Sequence, residues 1–97
     1  MTAQDDELET LRARIDALDR EIVERLNERA RLALEAGRLK TAAGRDGVRD
    51  HEREREVLLR VAMANEGPLP QADLVEIYRR LIDALVALEE ADRAKRA

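Results

Sequence analysis

The stretch LETLRARIDALDREIVERLNERARLALEAGRLK, residues 8–40, decides the fold. Its apolar positions are Leu8, Leu11, Ile15, Leu18, Ile22, Leu26, Ala30, Ala33 and Gly37. The steps are threes and fours, the spacing of a helix that buries one stripe. Asp5, Asp6 and Glu7 suit the positive end of such a helix, and Arg38 and Lys40 suit the other end. Gly44 and Gly47 then end it in the polar loop Gly44-Arg45-Asp46-Gly47. The reading is one helix over residues 6–43.

Working outward, a second helix is expected over residues 50–65, with Val57, Leu58 and Val61 on its inner face. Gly67-Pro68-Leu69-Pro70 breaks the chain, with Pro70 suited to a first helical turn. A third helix over residues 70–91 carries Leu74, Ile77, Tyr78, Leu81, Ile82, Leu85 and Leu88, and is expected to fray from Asp92 to Ala97. No strand signal, repeat or low-complexity linker interrupts this pattern. The fold class is all-α, in a single domain over residues 1–97.

The length of the first helix sets the expected assembly. About 38 residues at 1.5 Å each is roughly 57 Å. A compact domain of this size is only about 32 Å across. The two shorter helices shield about half of the long stripe, so the remainder is expected to pair with a second copy in an intertwined homodimer. The rival is an antiparallel three-helix bundle with a kinked first helix.

Composition agrees with a helical assembly and excludes several function classes. Charged residues make up 41% and hydrophobic residues 44%, with no Trp or Phe and one Tyr, so the core is thin and gains from a partner. A net charge of −4 with both signs interspersed leaves no basic stripe for nucleic acid. No apolar run approaches the roughly 20 residues of a membrane span. The acidic segment Met1 to Glu7 reads against a secretory or transit signal, so a soluble cytoplasmic protein is expected. With no cysteine and a single histidine, His51, neither a Cys-based site nor a His cluster for zinc is available. No cofactor and no metal are expected.

Arg12, Arg29, Lys40 and Arg53 are the basic residues that a helical bundle would aim inward, and together they suit a small dianion. Arg29 and Lys40 are 11 residues, or three turns, apart on one face, about 16 Å along the axis. Arg12 is 17 residues before Arg29, about 25 Å away and rotated by roughly 100°. From the same helix it cannot reach a small ligand held by the other two. In a two-fold dimer with antiparallel long helices it can reach the partner's pair, which predicts two composite sites per dimer. Against this stands the ordinary reading of basic residues on helices as solvated surface, assigned here to Arg14, Arg25, Arg31 and Arg38. Asp50 also reads as an N-cap, with Glu54 complementing the helix dipole. Glu89 lies on the stripe Tyr78, Ile82, Leu85, Glu89, so its carboxyl either reaches water at a frayed end or is buried and protonated.

Leu11-Arg12 with Ile15-Asp16-Ala17-Leu18-Asp19, then Glu28-Arg29, Gly37-Arg38-Leu39-Lys40 and Val48-Arg49-Asp50-His51-Glu52-Arg53-Glu54 form an ordered series. Ile77-Tyr78-Arg79-Arg80-Leu81-Ile82 and Ala87-Leu88-Glu89 complete it. In order and spacing, over residues 8–91, the series resembles the all-helical chorismate mutase family. The resemblance implies a Claisen rearrangement of chorismate to prephenate, with no covalent intermediate. The residue inventory is compatible, since such a shift needs a conformational clamp and donors at the ether oxygen rather than a nucleophile or metal. By the same resemblance, Arg12 of the partner subunit and Arg29 hold the substrate carboxylates, and Lys40 donates to a carboxylate and to the ether oxygen. Arg53 lines the pocket, Asp50 and Glu54 meet the ring hydroxyl, and Glu89 faces the ether oxygen. Leu85 stands where many members carry a small hydroxyl residue, so one hydrogen bond is expected to be lost. His51 replaces a residue more often Pro or aliphatic, with little effect expected.

Rival readings are a relative acting on isochorismate (pyruvate elimination) or on 4-amino-4-deoxychorismate, and a non-catalytic helical dimerisation module. Docking on another shikimate-pathway enzyme leaves no mark that this sequence would carry, and that arrangement stays open.

Overall fold

In a computed structural model, which describes residues 2–45, 47 and 49–97, the chain forms three helices: α1 (Ala3–Ala42), α2 (His51–Ala64) and α3 (Gln71–Arg96). Among the described residues there is no strand. Asp46 of the expected loop, Val48 of the charged motif and Met1 lie outside the described residues. By its internal contacts the chain divides into Met1–Leu32 and Ala33–Ala97.

The first unit is helix. It starts three residues earlier than the acidic run suggested, because Thr2 and Asp5 cap it reciprocally. The Asp5 N–H donates to Thr2 Oγ1 at 3.1 Å, while the Thr2 N–H and hydroxyl donate to Asp5 Oδ2 at 3.1 and 2.9 Å. This is a capping box, and its bonds hold the Asp5 carboxyl below its ordinary pKa. The stripe is solvent-facing from Leu8 to Leu26: Leu8, Leu11, Ile15, Leu18, Ile22 and Leu26 are between 39% and 56% exposed.

The second unit contains the end of α1 together with α2 and α3. Gly44 ends α1 at φ +75°, with its N–H on the Thr41 carbonyl and the Arg45 N–H on the Lys40 carbonyl. That pattern is a Schellman cap, and it needs a residue free to adopt positive φ. Asp50 caps α2 by accepting the Arg53 N–H at 3.0 Å. Asn65 holds the following turn, donating to the Leu69 carbonyl at 2.9 Å and accepting the Gly67 N–H at 3.0 Å.

α2 and α3 pack on one another. Ile82 and Leu85 of α3 are the buried hydrophobic residues, and Val57, Leu58 and Val61 of α2 are half-buried. Ile77 and Leu88, read as core, are exposed, because the 14-residue α2 covers only one face of a 26-residue helix. Both ends of α3 differ from the sequence reading. Pro70 is the N-cap of α3 rather than a residue of its first turn. The helix also continues to Arg96 instead of fraying from Asp92. Its last turns are held by an ion pair to α1, described next.

Candidate active site

The end of α1 and the C-terminal half of α3 enclose a cleft of about 340 Å³. Leu34, Gly37, Arg38 and Lys40 line it from α1, and Glu89, Asp92, Arg93 and Arg96 from α3. The α3 residues follow the spacing i, i+3, i+4, i+7, so one face of that helix supplies the whole wall. Gly37 faces Glu89 across the cleft: a Cβ at position 37 would lie 3.7 Å from Glu89 Cδ and 3.8 Å from its Oε1, in ordinary van der Waals contact.

Glu89 is half-buried, about two turns from the end of its helix. Its pKa is raised. Burial, which disfavours the anion, is the larger cause, and the positive charge of Lys40 opposes it. The two influences left open by the sequence are thereby ordered, with desolvation ahead.

Beside them the Arg38 guanidinium grips Asp92 with two bonds, Nε to Oδ2 at 3.1 Å and Nη2 to Oδ1 at 2.9 Å. The Asp92 side chain is only 19% exposed. Hydrogen bonding to Arg38 lowers the Asp92 pKa and raises that of Arg38. Arg38, read as solvated surface, is therefore a paired residue. Local spacing carries no sign of a partner 54 positions away.

The remaining candidates are distributed elsewhere. Asp50, Arg53 and Glu54 gather at the start of α2 and do not line this cleft. Asp50 is engaged as the N-cap, and Arg53 pairs with Glu56 at 3.3 Å. Glu54 receives Arg49 Nε and Nη2, and the same Nη2 reaches Asp83 at 2.7 Å. Both carboxylates raise the Arg49 pKa, Glu54 first. His51 is exposed. Leu85 is 8% exposed and packs in the α2–α3 core, so its side chain is a core group rather than a cleft group.

In the first unit, Arg12 is exposed and paired with Glu9 at 3.2 Å, one turn away, and Arg29 is half-buried. Of the residues singled out from the sequence, the second unit thus brings Lys40 and Glu89 together. Asp92, Arg93 and Arg96 were missed because that segment read as a frayed end. Their register with Glu89 is the signal that would have found them.

This arrangement lies in a chain with clear relatives. Residues 11–90 match the model of the family described as chorismate mutase type II. The bifunctional chorismate mutase/prephenate dehydratase of Aquifex aeolicus is 42% identical over 89 residues, covering 88% of this chain and 24% of that protein. The protein of the same name from Pseudomonas aeruginosa is 36% identical over 92 residues, covering 91% of this chain and 25% of its own length. The chain thus spans about a quarter of these relatives. A chorismate mutase structure from Thermus thermophilus, form II, superposes with a TM-score of 0.81 at 36% identity, covering 87% of this chain and 94% of that one. With a family match over most of its length and a fold shared at that level of identity, the chain belongs to the chorismate mutase type II family.

Proposed function

We propose that this chain is a chorismate mutase that acts as an intertwined homodimer and converts chorismate to prephenate by a [3,3] rearrangement. The observation that carries the reading is the cleft in which Lys40 and Glu89 stand together, an ammonium group and a carboxyl whose pKa is raised. In the reaction the ether C–O bond breaks as a C–C bond forms within one molecule, and no proton or redox partner is exchanged. Negative charge develops on the ether oxygen as the bond breaks. Hydrogen-bond donors fixed beside that oxygen stabilise the transition state more than the ground state. Lys40 supplies one donor. Glu89 supplies the second only as the neutral acid, since its anion would repel the developing charge.

The remaining roles rest on helix spacing and family resemblance. Arg29 and Arg12 of the partner subunit hold the two carboxylates, with the bidentate geometry open to guanidinium. From the start of α2, outside the walls of the Lys40–Glu89 cleft, Arg53 flanks the substrate. Asp50 and Glu54 accept its ring hydroxyl alongside the bonds they already hold, since each carboxylate oxygen has two lone pairs. The clamp enforces the folded conformer in which the reacting carbons meet. The dimer is supported by the exposed stripe from Leu8 to Leu26, too large an apolar surface to leave in water.

The test is to incubate the purified protein with chorismate, follow loss of its ultraviolet absorbance, and identify prephenate by acid conversion to phenylpyruvate. Saturable prephenate formation supports the reading. Inert wild-type protein would contradict it and direct the assay to isochorismate and 4-amino-4-deoxychorismate.

A further inference from the structure

We infer that Arg38 and Asp92 are a positioning pair, whose twin hydrogen bonds hold the last turns of α3 against the end of α1 and so set Glu89 over Gly37 and opposite Lys40. The inference deepens the proposed function and rests on it for its catalytic meaning.

Three observations support it. The pair is bidentate, 2.9 and 3.1 Å, which fixes orientation as well as distance. Its members flank the site on both walls: Asp92 is one helical turn beyond Glu89, and Arg38 lies between Gly37 and Lys40. Finally, Ile82 and Leu85, the buried residues of α3, lie before Glu89, so the last turns of that helix have no buried hydrophobic residue to anchor them. The ion pair, as a latch, joins these turns to α1 and keeps Glu89 under cover.

The charged groups around Glu89 are Arg38 and Lys40 on α1 and Asp92, Arg93 and Arg96 on α3; among the described residues α2 contributes none to the cleft. This allows positioning to be separated from simple electrostatics. If the pair positions Glu89, breaking it from either side rehydrates the carboxyl. Because burial outweighs Lys40 in the intact site, the Glu89 pKa then falls toward its ordinary value in both Arg38→Gln and Asp92→Asn. If the pair acts only through charge, removing the cation raises that pKa and removing the anion lowers it. Arg38→Lys isolates geometry from charge, since it keeps the cation and loses the twin bond.

The experiment is a carbon-13 carboxyl NMR titration of Glu89 in the full chain, its resonance assigned by loss in Glu89→Gln, with circular dichroism to confirm helix content. The expected result is a downward shift in Arg38→Gln, Asp92→Asn and Arg38→Lys alike, accompanied by a loss of kcat on the order of tenfold or more. Opposite shifts in the first two variants, or an unmoved titration in Arg38→Lys, would overturn the inference. The titration needs no turnover, so failure of the latch is distinguishable from failure of wild-type protein to act on chorismate.

Discussion

Gly37 faces the carboxyl of Glu89: a Cβ on the first would sit 3.7 Å from the carboxyl carbon of the second. That distance is ordinary van der Waals contact, so alanine fits at position 37 without a clash, and it covers a carboxyl that is already partly desolvated.

Gly37→Ala is therefore expected to have two separable effects. Replacing a glycine inside α1 stabilises the helix by about 1 kcal/mol. The added methyl raises the Glu89 pKa further and narrows the cleft, so KM for chorismate rises. Thermal denaturation and a KM measurement on one preparation check both. A lower melting temperature would contradict the contact geometry.

Glu89 should govern the alkaline limb of the activity profile. Its folded-state pKa is above the ordinary value, so the neutral acid persists to higher pH than in a free glutamate and is lost as pH rises through the raised pKa. The stability linked to this group runs the same way, since the folded chain holds the proton more tightly than the unfolded chain and loses that advantage as pH rises. Activity is expected to decline over that interval, and Glu89→Gln to give a flatter profile. Identical profiles for the two proteins would remove Glu89 from the mechanism.

Asp50 has a structural task that can be measured apart from catalysis. Its side chain accepts the Arg53 N–H at 3.0 Å and starts α2. Asp50→Ala is expected to cost about 1 kcal/mol in denaturant unfolding. Asp50→Asn preserves the cap, so any loss of activity in that variant reports on the carboxylate itself.

The exposed stripe of α1 predicts an assembly that one charge can disrupt. Ile22 is 53% exposed and lies in the middle of the stripe. Ile22→Glu would bury an unpaired carboxylate in a dimer interface, at several kcal/mol. Sedimentation equilibrium is expected to show a dimer for the wild type and a shift toward monomer for the variant. A monomeric wild type would refute the assembly.

The helices were legible because their apolar residues recur at threes and fours, and the glycine stop at Gly44 has a chemical signature of its own. The earlier start of α1 was readable too: Thr2-Ala3-Gln4-Asp5 has the spacing of a capping box. Lys40 and Glu89 could be paired only through the family pattern, since 49 positions separate them. The continuation of α3 to Arg96 escaped the reading because an apolar stripe that ends looks like a helix that ends. What holds those turns is polar, the twin bonds that Arg38 donates to Asp92, and no local periodicity encodes a partner on another element.

The most direct test of the composite dimeric enzyme is to mix two inactive chains, Arg12→Ala and Lys40→Ala, unfold them together and refold. Each mixed dimer would hold one site built from intact Arg12 of one chain and intact Lys40 of the other. Random pairing makes half of the dimers mixed, so about a quarter of wild-type chorismate turnover should return. No recovery, from chains that form mixed dimers, would contradict a site shared across the two-fold axis.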